Sequence, residues 1–354
     1  MKKIVSILAC AALLLGMFVC LSACGGPRLN VCNWGEYISD GAEGSRNVIK
    51  EFEEKTGIKV KYSTFPTNES LYAKLAGGGV KYDVIIPSDY MIERLVAEDR
   101  LEPLDYSKIP NYKYILPEYK SLYFDPEAKY TVPYTVGMVG VIYNTKMVNP
   151  APDSWAALWN PAYKGQILQF ESPRDAFGTA QILLGKDTNS INEADWRAAA
   201  DKLKEQAPLV QDYVSDEIYD ILEGENAAIG PYYAGDYLLM RENNPDLGFY
   251  YPKEGTNFFY DSMCVPKGAK NYDAAMQFIN FMLEPEIALA NAEYIKYATP
   301  HAAVRENPAY TYRDEAILYP APADMPRIEN FHHLPQDTLT LMNNLWTEVN
   351  LKRD

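Results

Sequence analysis

The chain is 354 residues long and carries 33 Lys and Arg against 48 Asp and Glu, a formal net charge of −15. That balance excludes a nucleic-acid partner, which needs a basic face, and it would draw in cations. Three histidines in the whole chain, His301, His332 and His333, leave little material for a catalytic triad or a zinc site, so no catalytic residue, metal or cofactor is expected.

At the start of the chain, Lys2 and Lys3 precede an apolar run over residues 4–21, and Ser22 and Ala23 precede Cys24. This is the pattern of a signal peptide. Leu21-Ser22-Ala23-Cys24 resembles the bacterial lipobox, in which the cysteine is acylated and the chain is cut just before it. Residues 1–23 are thus expected to be removed and residues 24–28 to form a lipid-anchored linker. Cys24 would then tether the remaining 331 residues to the outer face of the cytoplasmic membrane, on its periplasmic or extracellular side. An ordinary transmembrane anchor is the competing reading, because the run approaches the ~20 residues that span a bilayer. The mature chain exceeds the ~100 to 200 residues usual for one domain, which predicts two lobes with separate cores. Its two thiols, Cys32 and Cys264, either form one disulfide or stay free and buried.

From residue 29 onward, short β-rich runs alternate with amphipathic helical stretches, the pattern of an α/β fold. Residues 29–32 read as a strand, Val48, Ile49 and Phe52 as a helical face that stops at Gly57, and residues 58–62 as a second strand. Asn68 is placed to cap a helix through Leu75. Gly77-Gly78-Gly79 reads as a turn, since the Lys-Ser or Lys-Thr of a phosphate loop does not follow. Residues 83–86 form a buried strand ending in the loop Pro87-Ser88-Asp89-Tyr90. Further strands are predicted over residues 138–143, 166–170, 227–230, 247–251 and 262–265. Trp196, Ala199, Ala200 and Leu203 mark one later helix, Ala275, Phe278, Ile279 and Met282 another, and Leu339, Met342, Leu345 and Val349 a closing one. No linker long enough to separate independent domains appears, so the lobes should interweave, with a ligand site at strand ends between them.

Aromatic residues beside carboxylates recur at those strand ends. Trp34-Gly35-Glu36-Tyr37 follows the first strand, Ser88-Asp89-Tyr90 a later one, and Tyr232-Tyr233 and Phe258-Phe259-Tyr260-Asp261 flank others. Aromatic faces attract alkylammonium groups and pack on methylenes, while carboxylates supply the counter-charge that a buried cation requires. The pattern suits a slender polycation with ammonium groups separated by short methylene spacers.

At these residues the chain resembles the bacterial spermidine/putrescine-binding proteins, the extracytoplasmic receptors of polyamine ABC transporters. The segments that carry the likeness are NWGEY at 33–37, NESLYAKL at 68–75, YDVIIPSDY at 82–90, SWAALWNPAYKG at 154–165, YPKEG at 251–255, YDSMCVP at 260–266, FINFML at 278–283 and YATP at 297–300. The resemblance implies a two-lobed periplasmic-binding-protein fold of the type II-like kind, hinged between lobes, with its ligand in the interlobe cleft. The expected division is 29–137 with 260–305 for lobe 1 and 138–259 with 306–354 for lobe 2. It also implies a monomer that serves ABC permease subunits and is not an enzyme.

Carried over position by position, the resemblance makes Trp34 and Tyr37 an aromatic wall and Glu36 the acid for one terminal amine. Ser88 and Tyr90, Asp175, Asp261 and Tyr297 match further ligand contacts of the family. Four matches are altered: Ser172 stands where the family often has an aspartate, with Glu171 beside it, Tyr232 and Phe259 replace tryptophans, and His332 replaces a glutamine. The resemblance also implies an insertion within residues 38–48 relative to the shorter family loop. One missing carboxylate tilts the expectation toward putrescine over spermidine unless Glu171 substitutes for it. Two other readings stay open from the residues alone: a related receptor for a phosphonate or thiamine-type solute, and, remotely, a carboxylate-pair glycosidase.

Overall fold

The structure, a computed structural model, describes residues 28–79 and 81–352; the expected signal segment and Cys24 lie outside them. Strands β1 (Arg28–Asn33), β2 (Lys59–Thr64) and β3 (Val84–Ile85) form a parallel sheet in the order β2-β1-β3. Helices α1 (Val48–Thr56) and α2 (Asn68–Gly77) make the crossovers, and α3 (Asp89–Ala97) follows β3. Side-chain alternation along the strands covers both faces of this sheet. Leu29, Val31 and Val84 meet Val48, Phe52 and Phe278 on one side, and Cys32 and Ile85 meet Phe65, Leu71 and Ile92 on the other. The stop at Gly57 is as the sequence predicts: its φ of 73° is left-handed, and its N–H closes α1 on the Glu53 carbonyl at 2.9 Å.

The second sheet contains β4 (Val132–Asn144), β5 (Ile167–Phe170), β6 (Val210–Val214), β7 (Ile229–Tyr233), β8 (Leu247–Tyr250), β9 (Thr256–Met263) and β10 (Ile328–Glu329). Its order is β10-β9-β4-β7-β5-β6, with β8 also pairing β4. Helices α4 (Pro173–Leu183), α5 (Glu193–Gln206), α6 (Ile218–Glu223) and α7 (Ala234–Asn243) lie between its strands in the chain. After β9 come α8 (Tyr272–Met282), α9 (Pro285–Ile295) and α10 (Ala302–Arg305), and α11 (Gln336–Asn350) closes the chain. Val139, Val141, Ile142, Trp155, Leu168 and Ile229 build this sheet's own core.

Antiparallel β4 and β9 tie the two lobes together. Their paired ends Val132 and Met263 sit in the core of the first sheet, while Val139 to Ile142 belong to that of the second. Beyond this, β9 and the residues after it bridge the first sheet directly, Asp261 opposite Ser88 and Cys264 opposite Ile85. The molecule is therefore an α/β two-lobed binding fold whose lobes are interwoven by the chain.

Several elements differ from the sequence expectation. Strand β6 was not foreseen, because its first three residues are exposed or half-buried and carry no alternation. β4 runs 13 residues, β9 starts at Thr256, and the strand expected over 227–230 is displaced to Ile229–Tyr233. Thr67, not Asn68, caps α2, exchanging hydrogen bonds with Ser70 in a capping box. The Asn68 side chain is used instead to accept from the Ser88 backbone N–H at 3.2 Å. Asp89 opens α3 where a loop was expected.

Cys32 and Cys264 are both buried and free. Cys32 pairs with Ile85, and Ile85 with Cys264, so two strand spacings of ~4.8 Å separate the cysteines. That exceeds the ~7 Å of Cα separation that a disulfide can span. Among the described residues no helix is long and apolar enough to cross a membrane.

Candidate functional site

Six parallel strands, β1, β2, β3, β5, β6 and β7, deliver loops to one place. Trp34, Gly35 and Tyr37 follow β1; Pro66, Thr67 and Asn68 follow β2; Ser88, Asp89 and Tyr90 follow β3. From the other lobe come Ser172 and Asp175 after β5, Ser215, Asp216 and Tyr219 after β6, and Asp236 after β7. Convergence of loops at the carboxyl ends of parallel strands is the usual origin of an α/β ligand site. The cleft they enclose has an empty volume of about 820 Å³, its open mouth included, which is the scale of a small-molecule site.

Nine aromatic rings and five aspartates line it, and no Lys, Arg or His does. The rings form a connected wall: Phe170 stacks on Tyr232 at 5.9 Å, Tyr232 meets Tyr233 tilted at 4.9 Å, and Tyr233 with Phe259 and Tyr37 with Tyr297 meet edge to face at 5.4 and 5.2 Å.

Asp261 lies on β9 where that strand passes from one lobe to the other, and it is only 3% exposed. The Tyr37 hydroxyl donates to its Oδ2 at 2.6 Å, with Thr135 Oγ1 at 3.5 Å from the same atom. Its Oδ1 is buried with no hydrogen-bond partner. Burial raises its pKa to about 6, against the opposing hydrogen bonds from Tyr37 and Thr135. Asp175, in the first turn of α4, is likewise raised to about 6 by burial, although Ser172 and the Tyr233 hydroxyl, 3.3 Å from Oδ2, lower it. Asp236, in the first turn of α7, reaches about 7 by burial; the hydroxyls of Tyr219 and Tyr297 donate to it, the latter at 2.6 Å. Asp89 is also pushed up by burial, while the backbone N–H groups of Tyr90 and Tyr260 donate to its carboxylate. A carboxyl held in this way accepts hydrogen bonds from hydroxyls and amides but forms no ion pair, and for Asp175 the nearby Arg174 only partly offsets the burial. Among the described residues, no ion pair involves Asp175, Asp216, Asp236 or Asp261.

Ten of the twelve expected contact residues line the cleft: Trp34, Tyr37, Ser88, Tyr90, Ser172, Asp175, Tyr232, Phe259, Asp261 and Tyr297. Glu36 and His332 do not. Glu36 has a left-handed backbone, φ 47°, and its side chain lines a separate outer cavity, where Tyr294 donates to it at 3.1 Å. His332 is drawn to α3, its ring 3.3 Å from Glu93 and 4.5 Å from the Tyr123 ring, and its backbone N–H donates to Asn189. Glu171, the possible substitute acid, is exposed and accepts from Ser215. Arg174 is buried with its guanidinium on the Thr188 carbonyl and Asn189 and 4.1 Å from the Phe331 ring. The segment expected to hold an insertion contributes Ser39, Ala42, Gly44, Ser45 and Arg46 to the outer cavity.

Asp216, Asp236 and Tyr219 were not anticipated. Asp236 repeats the grammar of strand, aromatic pair and acid, which could have revealed it; Asp216 follows the strand that the sequence pattern concealed. Among the described residues, no group of three or more His, Cys, Asp or Glu is placed to hold a metal ion.

Comparison with known proteins agrees with this architecture. Residues 47–318 match the model of the bacterial extracellular solute-binding protein family. The chain is 35% identical over 317 residues, 89% of each chain, to the spermidine/putrescine-binding periplasmic protein of Salmonella typhimurium. It is 30% identical over 361 residues, covering 96% of this chain and 95% of the other, to a putrescine-binding periplasmic protein of Escherichia coli. A solved structure from Listeria monocytogenes, assigned to spermidine/putrescine ABC transport, superposes with a TM-score of 0.87 at 39% identity, covering 93% of this chain and all of that one.

Proposed function

The chain belongs to the bacterial extracellular solute-binding proteins, and from that premise we propose that it captures a polyamine outside the cytoplasm and delivers it to the permease of an ABC importer. The observation that carries this reading is the cleft lining of five aspartates and nine aromatic rings with no basic side chain. Desolvated carboxylates without counter-ions demand a cation, and the aromatic wall accepts both its ammonium groups and its methylenes. A phosphonate would instead need basic groups that this lining lacks.

In this proposal Asp261 Oδ1, left without a partner in the wall, receives one ammonium group, and Asp175 and Asp236 receive others. Tyr37, Tyr233, Tyr219 and Tyr297 hold those carboxylates in place through their hydroxyls. Asp236 compensates for the acid that Ser172 removes, so the charge count fits two or three ammonium groups and no longer tilts the site toward a diamine. Nothing in this task requires bond chemistry: the acids act as counter-charges and the ligand leaves unchanged. The lipobox-like Cys24 supports a membrane tether, which would keep the receptor near its importer and raise their effective concentration.

Isothermal titration with putrescine, cadaverine, spermidine and spermine tests the reading, with Tm rising in step with ligand concentration for those that bind. Absence of binding to all four would overturn it. Labelling with a radioactive or clickable fatty acid checks the tether, and a Cys24→Ala chain that still carried the label would exclude that site.

A further inference from the structure

Asp216 sits where the inner cleft meets the outer cavity and lines both, as does Tyr219. It follows β6, whose Val214 lies in the core of the second sheet, and it faces Gly35, which follows β1 of the first. The approach is close. A Cβ added at Gly35 would collide with Asp216 Oδ2 and lie 3.2 Å from Cγ, and the three nearest atoms all belong to this one carboxylate. Gly35 has none of the left-handed backbone that would itself require glycine, so what its missing side chain provides is room for Asp216. The only hydrogen bond to the Asp216 carboxylate among the described residues comes from the Tyr232 hydroxyl, at 3.5 Å. Nearby stand Asp236 and Glu36, both acids, so nothing neutralises it.

We propose that Asp216 is the terminal counter-charge of the cleft: carried by one lobe and seated over Gly35 of the other, it holds the ammonium group at the mouth, the place that sequence matching gave to Glu36. The proposal rests on the polyamine reading above and adds a residue to it. Glu36 is turned into the outer cavity by its left-handed backbone and already accepts from Tyr294. Asp216 is the acid the two cavities share. Because it is solvent-accessible at the mouth, its pull on a cation is partly screened, and its contribution should shrink with added salt.

The test is isothermal titration of the full mature chain with spermidine and putrescine at low and high salt, using Asp216→Asn, Asp216→Ser, Glu36→Gln, Gly35→Ala and the Gly35→Ala/Asp216→Ser pair. Asp216→Asn should weaken binding about five- to tenfold at low salt and less at high salt, while Glu36→Gln should change it less than about twofold. Gly35→Ala should weaken binding in the parent chain and have no further effect once Asp216→Ser has removed the group it displaces, a coupling that general loss of stability would not produce. Unchanged affinity in Asp216→Asn, or additive losses in the Gly35→Ala/Asp216→Ser pair, would overturn the assignment. Failure of the parent chain to bind either ligand would instead overturn the polyamine reading.

Discussion

The inner cleft and the outer cavity are both acidic, yet they treat their carboxylates differently. In the outer cavity Glu286 pairs with Arg46 and Glu242 with Lys296, and water reaches most of the rest. In the inner cleft Asp175, Asp236 and Asp261 stand among aromatic rings with hydroxyl donors but no ion-paired cation among the described residues, and burial lifts them to about 6, about 7 and about 6. The contrast shows that acidity alone does not make a cation site. What does is withdrawing carboxylates from water while withholding their counter-ions, so that the ligand supplies what the protein omits.

The strongest way to break this contrast is to neutralise Asp261, which is buried and keeps one carboxylate oxygen without a partner. Asp261→Asn should weaken polyamine binding by about a hundredfold in calorimetry, the scale of a buried ammonium left without its partner. The same change should raise the Tm of the unliganded chain at pH 8, since it removes a buried charge. A variant with lower Tm and weak binding would point to misfolding and would not support the role.

Next in size is the pH response. The folded-state pKa values of Asp175, Asp236 and Asp261 lie above the 3.8 of an ordinary aspartate, so all three bind protons more tightly in the folded chain. Their contribution to stability is therefore fully present below about pH 4 and is lost as pH rises through 6 to 7. Ligand affinity runs the other way, because binding needs the ionised form: it should fall more than about tenfold between pH 8 and pH 5, with protons released on binding near pH 6. Titrations in buffers of different ionisation enthalpy would measure that release. A pH-independent affinity over the same range would remove the three acids from the site.

Smaller again, Asp175→Asn and Asp236→Asn should each cost about tenfold, because each carboxylate is only partly enclosed. Smallest should be Glu36→Gln and His332→Gln, within about twofold, since both side chains are committed elsewhere. A large effect of either would mean that ligand binding rearranges the outer cavity or the segment on α3.

Much of the fold was legible because period-two runs and helical faces alternate in order, and because Gly57 marks a helix end by its backbone freedom. The site was legible where an acid or aromatic bordered a visible strand, as at Trp34, Tyr90 and Asp261. It became illegible where the cue was conformational. No spacing rule reveals that Glu36 adopts φ 47° and turns away, or that Val210–Val214, polar at Gln211 and Asp212 on a sheet edge, is a strand whose loop delivers Asp216. Asn68 was misjudged for a related reason: a hydrogen bond to a loop 20 residues away competes with capping, and local sequence shows only the second option.

The separation of Cys32 from Cys264 by Ile85 reaches beyond chain topology. A core that closes without an oxidant arrives at the same ligand-competent state in reducing and in oxidising surroundings. Folding of this receptor, and its hold on a cation, should then be indifferent to the redox poise of the compartment in which it works.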